Sequence, residues 1–290
     1  MQSTLDRRTY HETSSPYPLP NDATEHERLD LQNLAFNELM HGKPIHAPLT
    51  TPMRMLDIGC GTGFMLKHFA STFPSAETVL GIDLSPGLNG AIPPNVSSLK
   101  GDFHTLISHN HPSLQPTTFD YIFSRVLAYG MTDWPGYIRK AASLLKPGGW
   151  LEIHEIDFDF FDEDLNPMSS SVSWHDSYVQ TFARRGADLH AGRKVEGLIQ
   201  EAGLEEVRVE RYRLVFGPWR GHPEADMMAA YAPKYLPDAM GVGFEGMSAG
   251  VRSTVEIDEV KAAIRRDLGK SGCGLHIPLY VVWGRKPYEE

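Results

Sequence analysis

Cysteine is nearly absent from this chain: among 290 residues only Cys60 and Cys273 occur. They lie far apart, and one sits inside a glycine-rich turn, so a disulfide framework is not expected and a reducing compartment is. No apolar run is long enough to span a bilayer, and the N-terminal stretch lacks the apolar core of a signal peptide. Positive charge is also short: 27 Lys and Arg face 37 Asp and Glu, a formal net charge of −10. Such a surface repels phosphate backbones and anionic lipid, and the longest basic clusters, Arg184-Arg185 and Arg265-Arg266, are pairs. Nucleic acid and membrane are therefore not expected partners. Internal repeats and low-complexity tracts are missing as well. What remains, 41% hydrophobic and 22% charged, is ordinary for a globular protein. The expected location is the cytoplasm, with nuclear import as the alternative, and the oligomeric state is not legible.

Along the chain, residues 1–23 read as a flexible or extended tail, polar and punctuated by Pro16, Pro18 and Pro20, unless something docks it. Thr24 with Glu27 reads as a capping box, followed by Leu31, Leu34, Ala35 and Leu39 at helical spacing until Gly42. From there strand-like runs at 53–58, 78–82, 96–100, 119–124 and 150–156 alternate with helical segments at 64–73 and 134–145. Strands alternating with crossover helices predict a doubly wound α/β domain with a parallel sheet. Beyond it the rhythm predicts helices near 172–185 and 194–202, a strand over 207–216, an irregular helical region over 222–272 and a last strand from 276 to 283. Segments of about 159–190 and 222–255 read as a cap over the ligand edge of a domain spanning 24–290.

The most informative stretch is Met55-Leu56-Asp57-Ile58-Gly59-Cys60-Gly61-Thr62-Gly63. In open α/β sheets ligands sit beyond the carboxyl ends of the strands, where glycine lets the backbone come close. The third glycine arrives one residue too early for a dinucleotide fingerprint, and a P-loop would need Gly-Lys-Ser/Thr. Asp57, just before the turn, would repel a pyrophosphate but suits an ammonium group. Asp83, ending the next strand, can accept both hydroxyls of a ribose. Adenosine joined to an α-amino acid is S-adenosylmethionine; the bland alternative is a tight turn with two surface aspartates.

Asp57 to Gly63 resembles the first motif of class I S-adenosylmethionine-dependent methyltransferases, and Gly81-Ile82-Asp83-Leu84 the second. Tyr17-Pro18-Leu19-Pro20-Asn21-Asp22, Asp83-Leu84-Ser85-Pro86, Asp133-Trp134-Pro135, Pro147-Gly148-Gly149-Trp150 and Gly284-Arg285-Lys286-Pro287 are similar to the fungal LaeA-like methyltransferases. The resemblance spans nearly the whole chain. It implies a Rossmann-like seven-stranded sheet with the last strand antiparallel and a helical cap, with S-adenosyl-L-methionine as cofactor. It further implies that Gly59, Gly61 and Gly63 wrap the methionine part, Asp83 takes the ribose and Leu84 packs on the adenine. Asp102 and Phe103 would bind the adenine edge, and Arg125 and Val126 would line the reactive end. Arg28 would close over the cofactor carboxylate, or else be a surface ion pair with Glu25 or Asp30. The chain departs from the family in Gly101-Asp102, where a pair of acids is frequent, and in Cys60, where threonine is common.

Methyl transfer needs a nucleophile held in line with the sulfonium methyl and, for hydroxyls or amines, help in losing a proton. A strand buried on both faces should be wholly apolar, yet the strand over 150–156 carries His154 and Glu155 on opposite faces. They are the candidates for general base, His154 first, with a hydrogen-bonded structural role as its alternative. Tyr129, Trp174 and His175 are candidates to clamp a substrate, against ordinary lid packing. His104, His109 and His111 lack a cysteine or carboxylate pair at ligand spacing, so no metal is expected. Together these features predict methyl transfer to a small-molecule acceptor, by preference on oxygen, in fungal secondary metabolism. A LaeA-type regulator, or a cofactor-binding fold catalysing a rearrangement or cyclisation, are the alternatives.

Overall fold

The computed structural model describes residues 8–269 and 274–288. Cys273 lies outside them; Cys60 is a buried free thiol. Seven strands form one sheet: β1 (Arg54–Ile58), β2 (Thr78–Asp83), β3 (Val96–Lys100), β4 (Phe119–Arg125), β5 (Leu145–Ile156), β6 (Glu205–Val215) and β7 (His276–Arg285). Their order is β3-β2-β1-β4-β5-β7-β6. All pairings from β3 to β5 are parallel, and β7 runs antiparallel to both its neighbours. This is the predicted doubly wound, Rossmann-like sheet with its last strand reversed. The order reverses between β1 and β4, and there a crevice must open at the strands' carboxyl ends.

Among the described residues eight α-helices pack on the sheet or on one another: α1 (Ala23–Leu39), α2 (Phe64–Thr72), α3 (Phe103–Ser108), α4 (Trp134–Leu144), α5 (His175–Ala183), α6 (Val195–Glu201), α7 (Asp226–Ser248) and α8 (Thr254–Leu268). Because side chains alternate along a strand, β1 sends Met55 into one core layer and Leu56 and Ile58 into the other. On the first side Phe69 of α2 meets Tyr121 and Phe123 edge-on, centroids 5.5 Å apart. Each such buried ring stabilises the fold by about 1.5–3 kcal/mol. No helix among the described residues is long and apolar enough to cross a membrane.

Four local features differ from the sequence reading. The N-cap of α1 is Asp22, whose carboxylate accepts the Glu25 amide at 3.0 Å, so Thr24 is already inside the helix. α3 is a short helix the pattern did not show; Asp102 caps it through the Thr105 amide at 2.8 Å. α7 is continuous through Pro233 and Pro237. Their spacing of four lets the amide that Pro237 lacks coincide with the carbonyl of Pro233, so one missing bond involves both prolines. Residues 8–22 are docked: Asn21 donates its amide to the Thr9 carbonyl and its side chain to Ser85 Oγ, both at 2.8 Å, and Pro18, Leu19 and Pro20 are buried.

Candidate functional site

The crevice holds a cavity of about 260 Å³. β1 ends on it with Asp57, followed by Gly59, Cys60 and Gly61; β2 ends on it with Asp83 and Leu84. Gly59 has φ +82° and an added Cβ would collide with the Leu127 side chain. Gly63 has φ +76°, and there a Cβ would lie 2.5 Å from Leu88 Cδ2. The turn does not offer its amides as a cradle. Gly59 and Cys60 donate to the Ile82 carbonyl, Gly61 to Asp83 and Gly63 to the Cys60 carbonyl. What glycine supplies here is closeness, and Gly63, as N-cap of α2, is outside the cavity lining.

The two carboxylates are set up differently. Asp83 accepts the Gly61 amide at 2.9 Å and the Ser85 amide at 2.8 Å, one on each oxygen, which fixes its plane and leaves a lone pair free on each. Burial raises its pKa, and those two amides oppose the rise. Asp57 has no such amides: burial pushes it up to about 7, resisted by the Arg125 guanidinium and reinforced by Asp83. Arg125 is itself lowered by burial to about 10, with Asp57 opposing. Its guanidinium lies 5.2 Å from the centroid of Phe36, is hydrogen-bonded to Asn33, and leaves Nη1 buried without a partner.

Asp102 and Phe103 also line the cavity, as do Val126 and Tyr129. One carboxylate oxygen of Asp102 is occupied by the cap of α3. Arg28 reaches the cavity too, though buried rather than on the surface. Its Nη2 meets Glu25 at 2.6 Å and its Nη1 meets Tyr231 at 2.5 Å and Gln32 at 2.6 Å. Tyr178 donates to the Met240 carbonyl at 3.3 Å, so the Tyr129 hydroxyl, 2.6 Å away, donates to Tyr178 and keeps its own oxygen as an acceptor.

Besides Gly63, four expected site residues fall outside the cavity. His154 is wholly buried with Nε2 2.7 Å from Glu152, its ring against Phe123, and burial lowers its pKa to about 4. Glu155 points to the other face and accepts the Leu127 amide at 2.7 Å; burial raises it to about 8 against its backbone donors. It therefore positions the loop carrying Val126 and Leu127, and Val126 has φ +52°. Both side chains stand across the sheet, whereas the cavity opens beyond its end. Trp174 and His175 form a layer behind Phe158: Trp174 Nε1 donates to Asp267 at 3.1 Å, and His175 Nε2 is 2.6 Å from the Phe158 carbonyl.

The sequence reading missed the residues that close the cavity. Ser15, Tyr17, Leu19 and Asn21 enter from the docked tail; Tyr231, Leu236, Ala239 and Met240 enter from α7. His11 also lines it, but its Nε2 is held by the Tyr17 carbonyl at 2.9 Å and its Nδ1 by Thr13. The end away from the two carboxylates is apolar, formed by Ile156, Phe158, Leu214, Phe216 and Ile277 with the α7 residues. Two glycines mark close fits of the docked tail: a Cβ on Gly130 would lie 3.1 Å from Tyr17, and one on Gly246 would lie 3.0 Å from Pro18.

A methyltransferase-domain family matches residues 32–209. Across 97% of its length the chain is 28% identical to methyltransferase pytC of Aspergillus terreus, of which it covers 87%. Over the same share it is 30% identical to the protein-methionine methyltransferase laeA of Emericella nidulans, covering 75% of that protein. Among solved structures it resembles Haemonchus contortus phosphoethanolamine N-methyltransferase 2 bound to phosphomonomethylethanolamine and S-adenosylhomocysteine. The TM-score there is 0.52 at 19% identity, over 88% of this chain and 52% of that one, so the chain spans about half of that enzyme.

Proposed function

Since the chain belongs to the class I S-adenosylmethionine-dependent methyltransferases, in their fungal LaeA-like branch, we propose that it methylates an oxygen of a compact apolar secondary metabolite. The observation that carries this reading is the polarity of one cavity. Two carboxylates stand at neighbouring strand ends on one side, and a wall of aromatic and aliphatic side chains stands on the other. In this reading Asp83 accepts the ribose hydroxyls, Asp57 and Arg125 hold the amino-acid moiety, and Leu84, Asp102 and Phe103 frame the adenine. Arg28, Tyr17 and Tyr231 cover the reactive end, and the cap segments contribute through α7.

The cofactor supplies an electrophilic methyl on sulfonium. Bound there, it would give that methyl to the acceptor oxygen and keep the electron pair of the carbon–sulfur bond as S-adenosylhomocysteine. The protein's share is alignment and exclusion of water. Because His154 and Glu155 are outside the cavity, neither takes the proton. A phenol or carboxylic acid gives its proton to bulk water and enters as the anion, so no base in the cavity is needed, whereas a hydroxyl that keeps its proton can donate it in a hydrogen bond to the Tyr129 oxygen.

A thioether acceptor, which has no proton to lose, is the second reading, favoured by the position of His154 and Glu155 outside the cavity and by the name of the 30% identical relative, a protein-methionine methyltransferase. Incubation with labelled cofactor, a panel of phenols and carboxylic acids and a methionine-containing protein extract separates the two. A product one methylene heavier with S-adenosylhomocysteine supports the first; label on protein methionine supports the second. Cofactor binding without any labelled product would overturn both.

A further inference from the structure

Behind the cavity lies a second polar cluster that the methyl transfer does not use. Glu152 and His154, two apart on β5 and so on one face of the sheet, meet His46 from the linker between α1 and β1. Glu152 and His154 are wholly buried, and the His46 side chain is 7% exposed. Glu152 accepts the amides of His46 at 3.0 Å and of Ala47 at 2.8 Å, so the linker is clasped to the sheet.

Proton bookkeeping fixes the chemistry at the centre. The Tyr212 hydroxyl donates its one hydrogen to Glu210 Oε2 at 2.8 Å. Towards His46 Nε2, 2.8 Å away, it can then only accept. Nε2 of His46 therefore carries a hydrogen, while its Nδ1, buried without a hydrogen-bond partner, lies 3.4 Å from Glu152 Oε1. His154 Nε2 is 2.7 Å from the same oxygen. Three ligand atoms converge within 4.8 Å of one another. A buried carboxylate and two imidazole nitrogens this close need a positive charge shared among them, and a metal cation is one that all three can hold.

We propose that His46, Glu152 and His154 form a zinc site that latches the linker to β5. Two imidazoles and one carboxylate are a donor set zinc accepts, with a tetrahedral fourth position left over. The Tyr121 hydroxyl is buried beside Glu152 and adds an oxygen to the same polar surround. The Nε2 proton of His46 on Tyr212 is the outer hydrogen bond that orients a ligating imidazole. Glu210, on β6, is half-exposed and 3.5 Å from His46 Nε2, and offers a carboxylate on the access route. The latch would bear on the cavity directly: His154 is the register partner of Arg125, and its ring centroid is 4.8 Å from that of Phe123. Among the described residues the other grouping of metal-capable side chains, Asp157, Asp159 and His190, already receives the Arg193 guanidinium and leaves no buried side-chain nitrogen or oxygen unpartnered.

The test uses tag-free full-length protein, stripped with a chelator and titrated with zinc(II) or cobalt(II). About one metal per chain should be retained after dialysis, and saturating zinc should raise the melting temperature by roughly 5 °C. His46→Ala should lose most of the retained metal, about tenfold or more, and the melting shift with it. Should that variant fail to fold, the cobalt-loaded wild type gives visible d–d absorption, and X-ray absorption should report a nitrogen and oxygen shell without sulfur. A wild-type chain that retains no zinc or cobalt and melts at an unchanged temperature would overturn the proposal. Full metal retention by folded His46→Ala would overturn it equally.

Discussion

At the scale of single residues, Asp57 and Asp83 are both acids at strand ends, but their surroundings prepare them for different partners. Asp83 is locked by two amides, so Asp83→Ala should cost the charge-assisted bonds to a ribose, about 1.5–3 kcal/mol, or roughly 10- to 150-fold in cofactor Kd by calorimetry. Unchanged affinity would remove it from the site. Asp57, raised by burial to about 7, is protonated in the free protein below that pH, yet must be ionised to meet an ammonium group. Binding below about pH 7 then expels a proton, and affinity should fall about tenfold per pH unit as the pH drops. Calorimetry across that range should show the slope in the wild type and a flat, weaker profile in Asp57→Asn; a flat wild-type profile would contradict the pairing. Both residues were legible because the turn that presents them is local in sequence. His154 and Glu155 misled for the opposite reason. Polar residues at a strand's carboxyl end imply a site, but the groups that satisfy them, Glu152 with the linker at His46 and the Leu127 amide, come from folding.

At the scale of elements, strands and their order were readable because each is an apolar run bounded by turn residues, and the alternation of strands with helices dictates a parallel sheet. The docked tail was not readable. Its composition is that of a free terminus, and its anchors, Ser85 and Gly130, lie far along the chain. The tail's contribution can be measured. A variant lacking residues 1–20 keeps Asp22, the cap of α1, and should remain folded by circular dichroism. It loses Tyr17 and Leu19 from the cavity wall, so cofactor should dissociate about tenfold faster, mutations of closing segments acting chiefly through the off-rate. Equal off-rates in a stopped-flow displacement would show that the tail covers the crevice without retaining its ligand.

At the scale of the whole molecule, the sheet divides the labour. The half from β3 to β4 presents the polar end of the cavity, and its chemistry is written in short motifs. The half from β5 to β6, with α7, presents the apolar end, where Ile156, Phe158, Leu214, Phe216 and Met240 come from distant segments and follow no spacing a motif could capture. Hence the cofactor could be inferred from sequence while the acceptor could not. The division predicts that the two ends can be altered separately. Ala239 lines the cavity from α7, and Ala239→Phe would fill space at the apolar end without touching Asp57 or Asp83. Cofactor Kd should stay within about twofold, while kcat/KM for the acceptor found by the labelling experiment should fall about 100-fold, the loss expected when about 3 kcal/mol of acceptor binding and alignment is removed. A smaller acceptor of the same class should recover part of that loss, since the added ring excludes volume rather than chemistry. Parallel losses in cofactor and acceptor binding would instead mean that α7 holds the entire crevice together, and the cavity would then act as one unit rather than two.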